Sequence, residues 1–223
     1  MTFVIIIIII IITFVFFYKS PIRKFYDNDI FPILNTIDYS IIKKEFIENE
    51  LSNNSSLWQE WPETYLWKSS NNASWKVIPL MAFSKWSESN IKKYNKTYKE
   101  LSKIKGLITA GFSKLGPDTS LEFHKGWAPL SNNVLRCHLG IRVPDGRCRI
   151  IVKDGDIEYR YQKGDQWLIF DDSLEHSADN NSTEDRVVLI LDIERPPHIK
   201  KGTSNVEFSP ELESFLNEFN KSI

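Results

Sequence analysis

The stretch Val134-Leu-Arg-Cys-His-Leu-Gly-Ile-Arg142 alternates apolar residues with polar or small ones. Successive side chains of a β-strand point to opposite faces, so the alternation predicts a strand with two unlike sides. The sides consist of Leu135, Cys137, Leu139 and Ile141 on one face, and Arg136, His138 and Gly140 on the other. An Arg and a His behind a leucine-packed face indicate the polar interior of a small barrel, where ligands bind; a merely solvated face is the alternative.

Short strands separated by turn residues extend from this stretch in both directions. Turn signals recur at Gly116-Pro117-Asp118, Pro144-Asp145-Gly146, Asp154-Gly155-Asp156 and Lys163-Gly164-Asp165. The predicted strands are 107–114, 120–124, 133–143, 147–153, 156–161, 166–171 and 186–193. No helical pattern of ordinary length interrupts them, so the predicted fold class is mainly β, a sandwich or barrel.

The region before these strands is helical and rich in aromatic residues. Asp38 is placed to cap a helix whose apolar residues recur at helical spacing as far as Leu51. Residues 74–80 are predicted as a strand and 89–104 as a second helix, and a terminal helix over Glu211–Phe219 is expected to cover a sheet edge.

The first eighteen residues differ from the rest. Phe3 to Phe17 is apolar except for Thr13. At about 1.5 Å per residue, Thr2 to Tyr18 spans roughly 25 Å, slightly short of the ~30 Å of a bilayer core. Without a basic leader or a small-residue cleavage site, it is predicted to be an uncleaved single-pass transmembrane helix, with a cleaved signal peptide as the alternative.

Two signals disagree about the side of the membrane. Basic residues follow the apolar segment and none precedes it, which favours a cytosolic domain. Seven glycosylation sequons favour a lumenal or extracellular domain, which is the side expected here. They begin at Asn53, Asn54, Asn72, Asn95, Asn180, Asn181 and Asn220.

Charge and cysteine content exclude some classes. The 223 residues carry 28 basic and 29 acidic side chains, a formal net charge of -1, which gives no basic field for nucleic acid. The cysteines, Cys137 and Cys148, cannot form a four-thiolate zinc site or a disulfide scaffold.

His124 and His176 each lie where a strand gives way to a turn. Neutral imidazoles at the ends of two strands can share a divalent iron, although either residue alone is more often an ordinary histidine. A Ser-His-Asp triad is the rival use, but no Gly-x-Ser-x-Gly motif is present. Arg186 opens an apolar strand and needs an anion, either a ligand carboxylate or its neighbours Glu184 and Asp185.

Taken in order, these motifs resemble the aspartyl/asparaginyl β-hydroxylase family of Fe(II)- and 2-oxoglutarate-dependent oxygenases. The resemblance is strongest from about Ser113 to Pro197. It is carried by His124-Lys-Gly, Leu135-Arg-Cys-His-Leu-Gly-Ile, Val143-Pro, Phe170-Asp-Asp-Ser-Leu-Glu-His176, Arg186 and Asp192-Ile-Glu-Arg-Pro196. It implies a double-stranded β-helix, the cupin-like jelly roll, with flanking helices.

The resemblance also implies the roles of individual residues. His124 and His176 would be the iron ligands, and Gly126 stands where most oxygenases of this fold have a carboxylate ligand, which leaves a two-histidine site. Arg186 would pair with the distal carboxylate of 2-oxoglutarate in a pocket lined by Trp75, Ser113, Arg136 and His138. The implied reaction couples oxidative decarboxylation of 2-oxoglutarate by O₂ to hydroxylation of the substrate.

The first reading of the function is hydroxylation of the β-carbon of Asp or Asn in a protein or peptide. Hydroxylation of a lipid acyl chain and a non-catalytic jelly-roll binding module are the alternatives, and Gly126 favours the β-hydroxylase side. The expected organisation is an anchor 1–18, a juxtamembrane tether 19–37, an aromatic-rich support region 38–106, a jelly-roll catalytic core 107–199 and a tail 200–223.

Overall fold

A computed structural model describes residues 20–52, 57–70, 73–221 and 223. The predicted membrane anchor, residues 1–18, lies outside the described residues. Across the described ranges, no helix is both long and apolar enough to cross a membrane.

The described chain consists of short helices and thirteen strands. The helices are α1 Tyr39–Leu51, α2 Glu88–Lys93, α3 Asn95–Leu101, α4 Ala128–Ser131 and α5 Pro210–Asn220, with 3-10 turns at Asn28–Ile30, Pro32–Thr36 and Thr64–Leu66. The strands are β1 Phe25–Tyr26, β2 Gln59–Glu60, β3 Trp67–Ser69, β4 Trp75–Ala82, β5 Lys85–Trp86, β6 Leu107–Leu115, β7 Thr119–Leu121, β8 Val134–Arg142, β9 Cys148–Asp154, β10 Asp156–Tyr161, β11 Trp167–Phe170, β12 Glu175–Asn180 and β13 Arg186–Glu194.

Two antiparallel sheets form the body of the fold. The larger runs β1-β11-β8-β13-β6-β4-β2, with β5 paired to β4, and the smaller runs β10-β9-β12-β7-β3. The sheets face each other across an apolar cluster that includes Trp75, Leu115, Val152 and Phe170. The mainly β prediction is therefore confirmed, and the strand order is that of two sheets closed on each other, as in a jelly roll.

The two faces of strand β8 have different surroundings. Leu135, Cys137 and Leu139 are buried against the helices in a second cluster that contains Phe46 and Tyr94. The other face of β8 turns toward the space between the sheets. Both predicted faces are confirmed, and the helical half of the chain covers the outer surface of the larger sheet.

The segment predicted as a tether packs on the domain instead. β1 pairs with β11, and Phe25, Tyr26, Phe31 and Leu34 are buried. Aromatic and aliphatic side chains in this segment supply enough apolar surface to hold it against the sheet. The second predicted helix is divided, because α2 ends at Lys93 and α3 begins at Asn95, with the buried Tyr94 between them.

The sequence pattern does not predict five of the described strands, β1, β2, β3, β5 and β12. Of these, β12 contains a predicted site residue, His176. Its residues, Glu175-His-Ser-Ala-Asp-Asn180, have little β propensity, but hydrogen bonds fix the strand between β9 and β7. The Asn180 side chain is fully buried and donates to the carbonyl oxygens of Leu115, Gly116 and Glu184 at 3.0, 2.9 and 2.8 Å. Asn180 is therefore not available for glycosylation in the folded protein, although it heads one of the seven sequons.

Candidate active site

His124 and His176 lie opposite each other and exchange backbone hydrogen bonds. The N–H of His124 donates to the carbonyl of His176 at 3.0 Å, and the N–H of His176 donates to the carbonyl of His124 at 2.7 Å. This antiparallel bridge brings the two imidazole ring centres to 4.4 Å. Residues 52 positions apart in the chain are thus held side by side, as the sequence predicted for metal ligands.

The two imidazole rings make the same kind of hydrogen bond. Nδ1 of His124 lies 2.8 Å from the carbonyl oxygen of Glu122, and Nδ1 of His176 lies 2.9 Å from that of Leu174. A carbonyl oxygen only accepts, so each Nδ1 carries the proton and each Nε2 keeps its lone pair. Burial lowers the pKa of both histidines to about 4, with repulsion from His176 adding to the shift at His124. Neutral imidazoles with free Nε2 atoms are the form that binds metals.

Asp172, which follows strand β11, places a carboxylate beside the histidine pair. A β-carbon on residue 126 would lie 1.8 Å from Asp172 Oδ2, so the glycine at that position makes room for this carboxylate. Asp172 is fully buried, its Oδ1 lies 3.3 Å from His176 Nε2, and its Oδ2 has no partner among the described residues. Burial raises the pKa of Asp172 to about 6.

These residues fit a divalent metal. A lone pair of His176 Nε2 and an oxygen of Asp172 face each other as two acceptors, an arrangement that a shared cation satisfies. Within the described ranges, no group of three or more His, Cys, Asp and Glu side chains is arranged to hold a metal. The site is therefore a two-histidine pair with a carboxylate beside it.

Arg136 holds that carboxylate in place. Its Nη1 donates to Asp172 Oδ1 at 2.5 Å, while Nε and Nη2 donate to the two oxygens of Asp192 at 2.8 and 3.0 Å. Two buried carboxylates thus share one guanidinium. Arg136 lies at the site as predicted, but its donors are used within the protein, so its predicted contact with 2-oxoglutarate stays a prediction.

Arg186 is a buried cation with no carboxylate partner among the described residues. It is 3% exposed, its Nη2 lies 3.3 Å from Nδ1 of His138, and its Nε has no hydrogen-bond partner among the described residues. Burial lowers the pKa of Arg186 to about 10. His138 is also buried, its Nε2 has no described partner, and burial and Arg186 lower its pKa well below the ordinary value. This pair has spare donors for an anionic ligand.

The remaining two predicted residues meet in the same interior. Trp75 Nε1 donates to Ser113 Oγ at 2.9 Å, and both side chains are buried. His138 packs edge-on against Phe170 at 5.1 Å between ring centres, and Phe170 lies 5.3 Å from the ring of His176. The structure therefore connects the Arg186 end of the interior to the histidine pair through one shared ring.

Nothing in the local sequence singles out Asp172 within the motif Phe170-Asp-Asp-Ser-Leu-Glu-His176. Its available signal was two consecutive acidic residues, Asp171 and Asp172, after the apolar strand β11. Asp171 has a structural role, because it binds Arg195 through two hydrogen bonds of 2.6 and 2.9 Å. Nothing in the spacing distinguishes the two carboxylates.

A largely apolar cavity of about 360 Å³ lies beside the histidine pair and is lined by His124. Gly126 and Arg136 also line it. Its other walls are mostly apolar and include Pro79, Met81, Ala82, Phe83, Leu212, Phe215 and Leu216. Helix α5, predicted to cover a sheet edge, thus forms one wall of this cavity.

Comparisons with known proteins identify the family of this chain. The family model described as aspartyl/asparaginyl beta-hydroxylase matches residues 37–196. An ornithine lipid ester-linked acyl 2-hydroxylase of Rhizobium tropici is 34% identical over 220 residues, covering 86% of this chain and 76% of the relative. Aspartate beta-hydroxylase domain-containing protein 2 of Xenopus tropicalis is 31% identical over 144 residues, covering 60% of this chain and 37% of the relative. Among solved structures, a Pseudomonas putida prolyl-4-hydroxylase matches at a TM-score of 0.46 with 10% identity, covering 72% of this chain and 89% of that one.

Proposed function

Because the chain belongs to the aspartyl/asparaginyl β-hydroxylase family, we propose that it uses iron(II) and 2-oxoglutarate to hydroxylate an acyl chain. The match over residues 37–196 confirms the resemblance read from the sequence. It also confirms the predicted enzyme class, a hydroxylase. The bound metal, the co-substrate contacts and the substrate of this chain are the proposed parts.

His124 and His176 would hold the iron through their Nε2 atoms, with Asp172 beside it. Bound iron(II) supplies the chemistry that couples O₂ and the keto acid to hydroxylation. The protein's own contribution is to keep both imidazoles neutral, to fix their rings through the Glu122 and Leu174 carbonyls, and to hold Asp172 with Arg136.

The co-substrate would lie between the histidine pair and Arg186. A dicarboxylate places one negative end beside the unpaired guanidinium, where burial makes an ion pair strong. The Nε2 of His138 and the hydroxyl of Ser113 are the nearby polar groups that can orient it, and Trp75 fixes Ser113. Arg186 is the residue of choice because a guanidinium binds a carboxylate through two parallel hydrogen bonds.

The proposal of an acyl substrate rests on the apolar cavity. An Asp or Asn side chain in a peptide needs polar partners along the extended backbone, whereas this cavity is walled mostly by aliphatic and aromatic side chains. Each buried methylene of an acyl chain gains about 0.8 kcal/mol in such surroundings. A cavity that leads from Met81 and Leu216 to His124 would bring one carbon of that chain to the metal.

Hydroxylation of a peptidyl Asp or Asn, the first reading from the sequence, remains the second candidate. The description of the family favours it. The absence of a carboxylate at Gly126 is the second argument for it. This second argument does not hold, because the carboxylate of Asp172 occupies the space that residue 126 leaves free.

The test is a succinate assay on the purified protein with iron(II), ascorbate and 2-oxoglutarate. Acylated lipids and peptides containing Asp or Asn are supplied in separate arms, and hydroxylated product is identified by mass spectrometry. Product in the lipid arm that disappears in His176→Ala supports the proposal. Product in the peptide arm alone overturns the acyl substrate, and succinate output unchanged by His176→Ala overturns the site.

We also propose that residues 1–18 hold the enzyme at a membrane as a single-pass anchor, which suits a lipid substrate. Sequons support lumenal placement of the domain. The one that begins at Asn180 does not count toward this support, because Asn180 is buried. Protease protection of sealed microsomes tests the side, and extraction of the protein by alkaline carbonate would overturn the anchor.

A further inference from the structure

Glu63 places a buried carboxylate on the wall of the apolar cavity. The residue is 2% exposed and lines the cavity beside Trp61 and Trp127. Its Oε1 accepts from the hydroxyl of Tyr65 at 3.1 Å and from Trp127 Nε1 at 3.4 Å. Both donors are neutral, and Oε2 has no hydrogen-bond partner among the described residues.

Burying a carboxylate oxygen without a cation costs free energy, so the burial of Glu63 points to a ligand that supplies the missing donor. The aromatic rings around Glu63 indicate what kind of donor this is. Trp61 stacks on Trp127 at 5.8 Å between ring centres and packs against Phe215 of helix α5 at 6.0 Å. Aromatic faces beside a carboxylate are the surroundings that attract an ammonium group.

A second unpaired group lies on the same wall. The indole N–H of Trp61 is buried and has no acceptor among the described residues. A ligand that satisfies both groups offers a positive donor to Glu63 and an acceptor oxygen, such as an ester or amide carbonyl, to Trp61. An acyl chain attached to an amine-bearing head group has both.

The position of Glu63 relates this head group to the reaction site. Trp127, the donor to Glu63, directly follows Gly126, whose missing side chain makes room for Asp172. Glu63, Trp127 and His124 all line the same cavity. A head group at Glu63 would therefore place its acyl chain in the cavity that His124 lines.

We infer that Glu63 and Trp61 form a head-group subsite that selects acyl substrates with a cationic amine. The inference rests on the proposed acyl substrate and narrows its class. Two amphiphiles test it, the lauroyl amides of ethylenediamine and of ethanolamine, which differ in carrying an ammonium or a hydroxyl group at the same place. Binding to the full chain in detergent micelles is measured by calorimetry, which needs no turnover.

The wild-type protein is expected to bind the ammonium compound at least about 10-fold more tightly, as a charge-assisted hydrogen bond of ~1.5–3 kcal/mol implies. Glu63→Gln should remove that preference and leave the affinity for the hydroxyl compound unchanged. Tyr65→Phe, which removes a donor to Oε1 but keeps the charge, is the matched control and should retain the preference.

Equal affinity of the wild-type protein for both compounds overturns the subsite without using any variant. An equal loss of both affinities in a folded Glu63→Gln protein also overturns it. A preference that depends on Glu63, in a protein that hydroxylates no acyl compound, keeps the subsite and rejects the acyl hydroxylase function. The two failures are thus distinguished.

Discussion

Asp172 Oδ2 lies 1.8 Å from the point where a β-carbon on residue 126 would be. A glycine two residues after one metal-ligand candidate and an aspartate four residues before the other therefore depend on each other. In the proposed metal site, the second motif would supply the carboxylate that the resemblance expects on the first.

This relationship predicts strong coupling between the two positions. Gly126→Ala should destabilise the protein by about 1–3 kcal/mol, because the added methyl group overlaps the Asp172 carboxylate. Asp172→Ala removes the nearer obstacle and leaves Ser131 Cβ, at 2.8 Å from the added methyl group. The double variant should therefore lose less stability than the sum of the two single changes. Urea unfolding of the metal-free protein measures this cycle.

Gly164→Ala is the control for the cycle, since a β-carbon there meets nothing within 4 Å. It should leave the free energy of unfolding within about 0.5 kcal/mol of the wild-type value. Additive effects at positions 126 and 172 would contradict the shared space.

Arg186 and Arg195 should respond in opposite ways to loss of charge. Arg186→Met should raise the KM for 2-oxoglutarate by at least about 10-fold, because a charge-assisted contact is lost. Its folding stability should hold or increase, since the unliganded protein no longer buries an unpaired cation. Arg195→Met should cost about 3–5 kcal/mol, because it leaves Asp171 buried without its partner. Loss of stability in both variants alike would show that Arg186 has a structural partner.

The buried histidines predict how stability depends on pH in the presence of a chelator. The pKa of His138 in the folded protein lies well below its ordinary value, chiefly through burial. The unfolded chain therefore binds a proton that the folded protein does not, and this residue's contribution to stability is lost as the pH falls below about 6.5. His138→Gln should reduce the slope of unfolding free energy against pH by about 1.4 kcal/mol per pH unit in that range.

The slope must be compared between variants, because Asp172 changes the free energy of unfolding with pH in the opposite direction to His138. Its pKa is raised to about 6 by burial, so the folded protein takes up that proton first as the pH falls. His198→Gln, a change on an exposed loop, is the control. Equal slopes in the wild-type protein and His138→Gln would contradict a neutral, buried His138.

Asn180 and Asn95 separate a structural asparagine from a surface one. Asn180→Asp replaces the amide donor to three backbone carbonyls by a buried carboxylate, so stability should fall by about 2–4 kcal/mol. Asn95→Asp, at an exposed residue, should change it by less than about 0.5 kcal/mol. Thermal unfolding measures both, and a glycan found on Asn180 of the folded protein would contradict its burial.

Much of the fold was predictable from local patterns. The alternation in 134–142 places Cys137 and His138 on opposite faces, and the structure agrees. Strand β12 was not predictable, because its burial depends on hydrogen bonds with β9, β7 and the turn after β6 rather than on apolar side chains. The packing of Phe25 and Tyr26 was missed for a related reason, since two residues are too few to show a period.

The sequence by itself determined the mainly β fold, the family and the two histidines with Arg186, because periodicity and ordered motifs are local properties of the chain. Only the tertiary structure decided which carboxylate lies beside the histidine pair, that Arg136 is already paired, and that Glu63 Oε2 lacks a partner among the described residues on a mostly apolar wall. Those facts depend on which distant side chains share a space, and the physical cost of burying charge becomes visible only once that space is known.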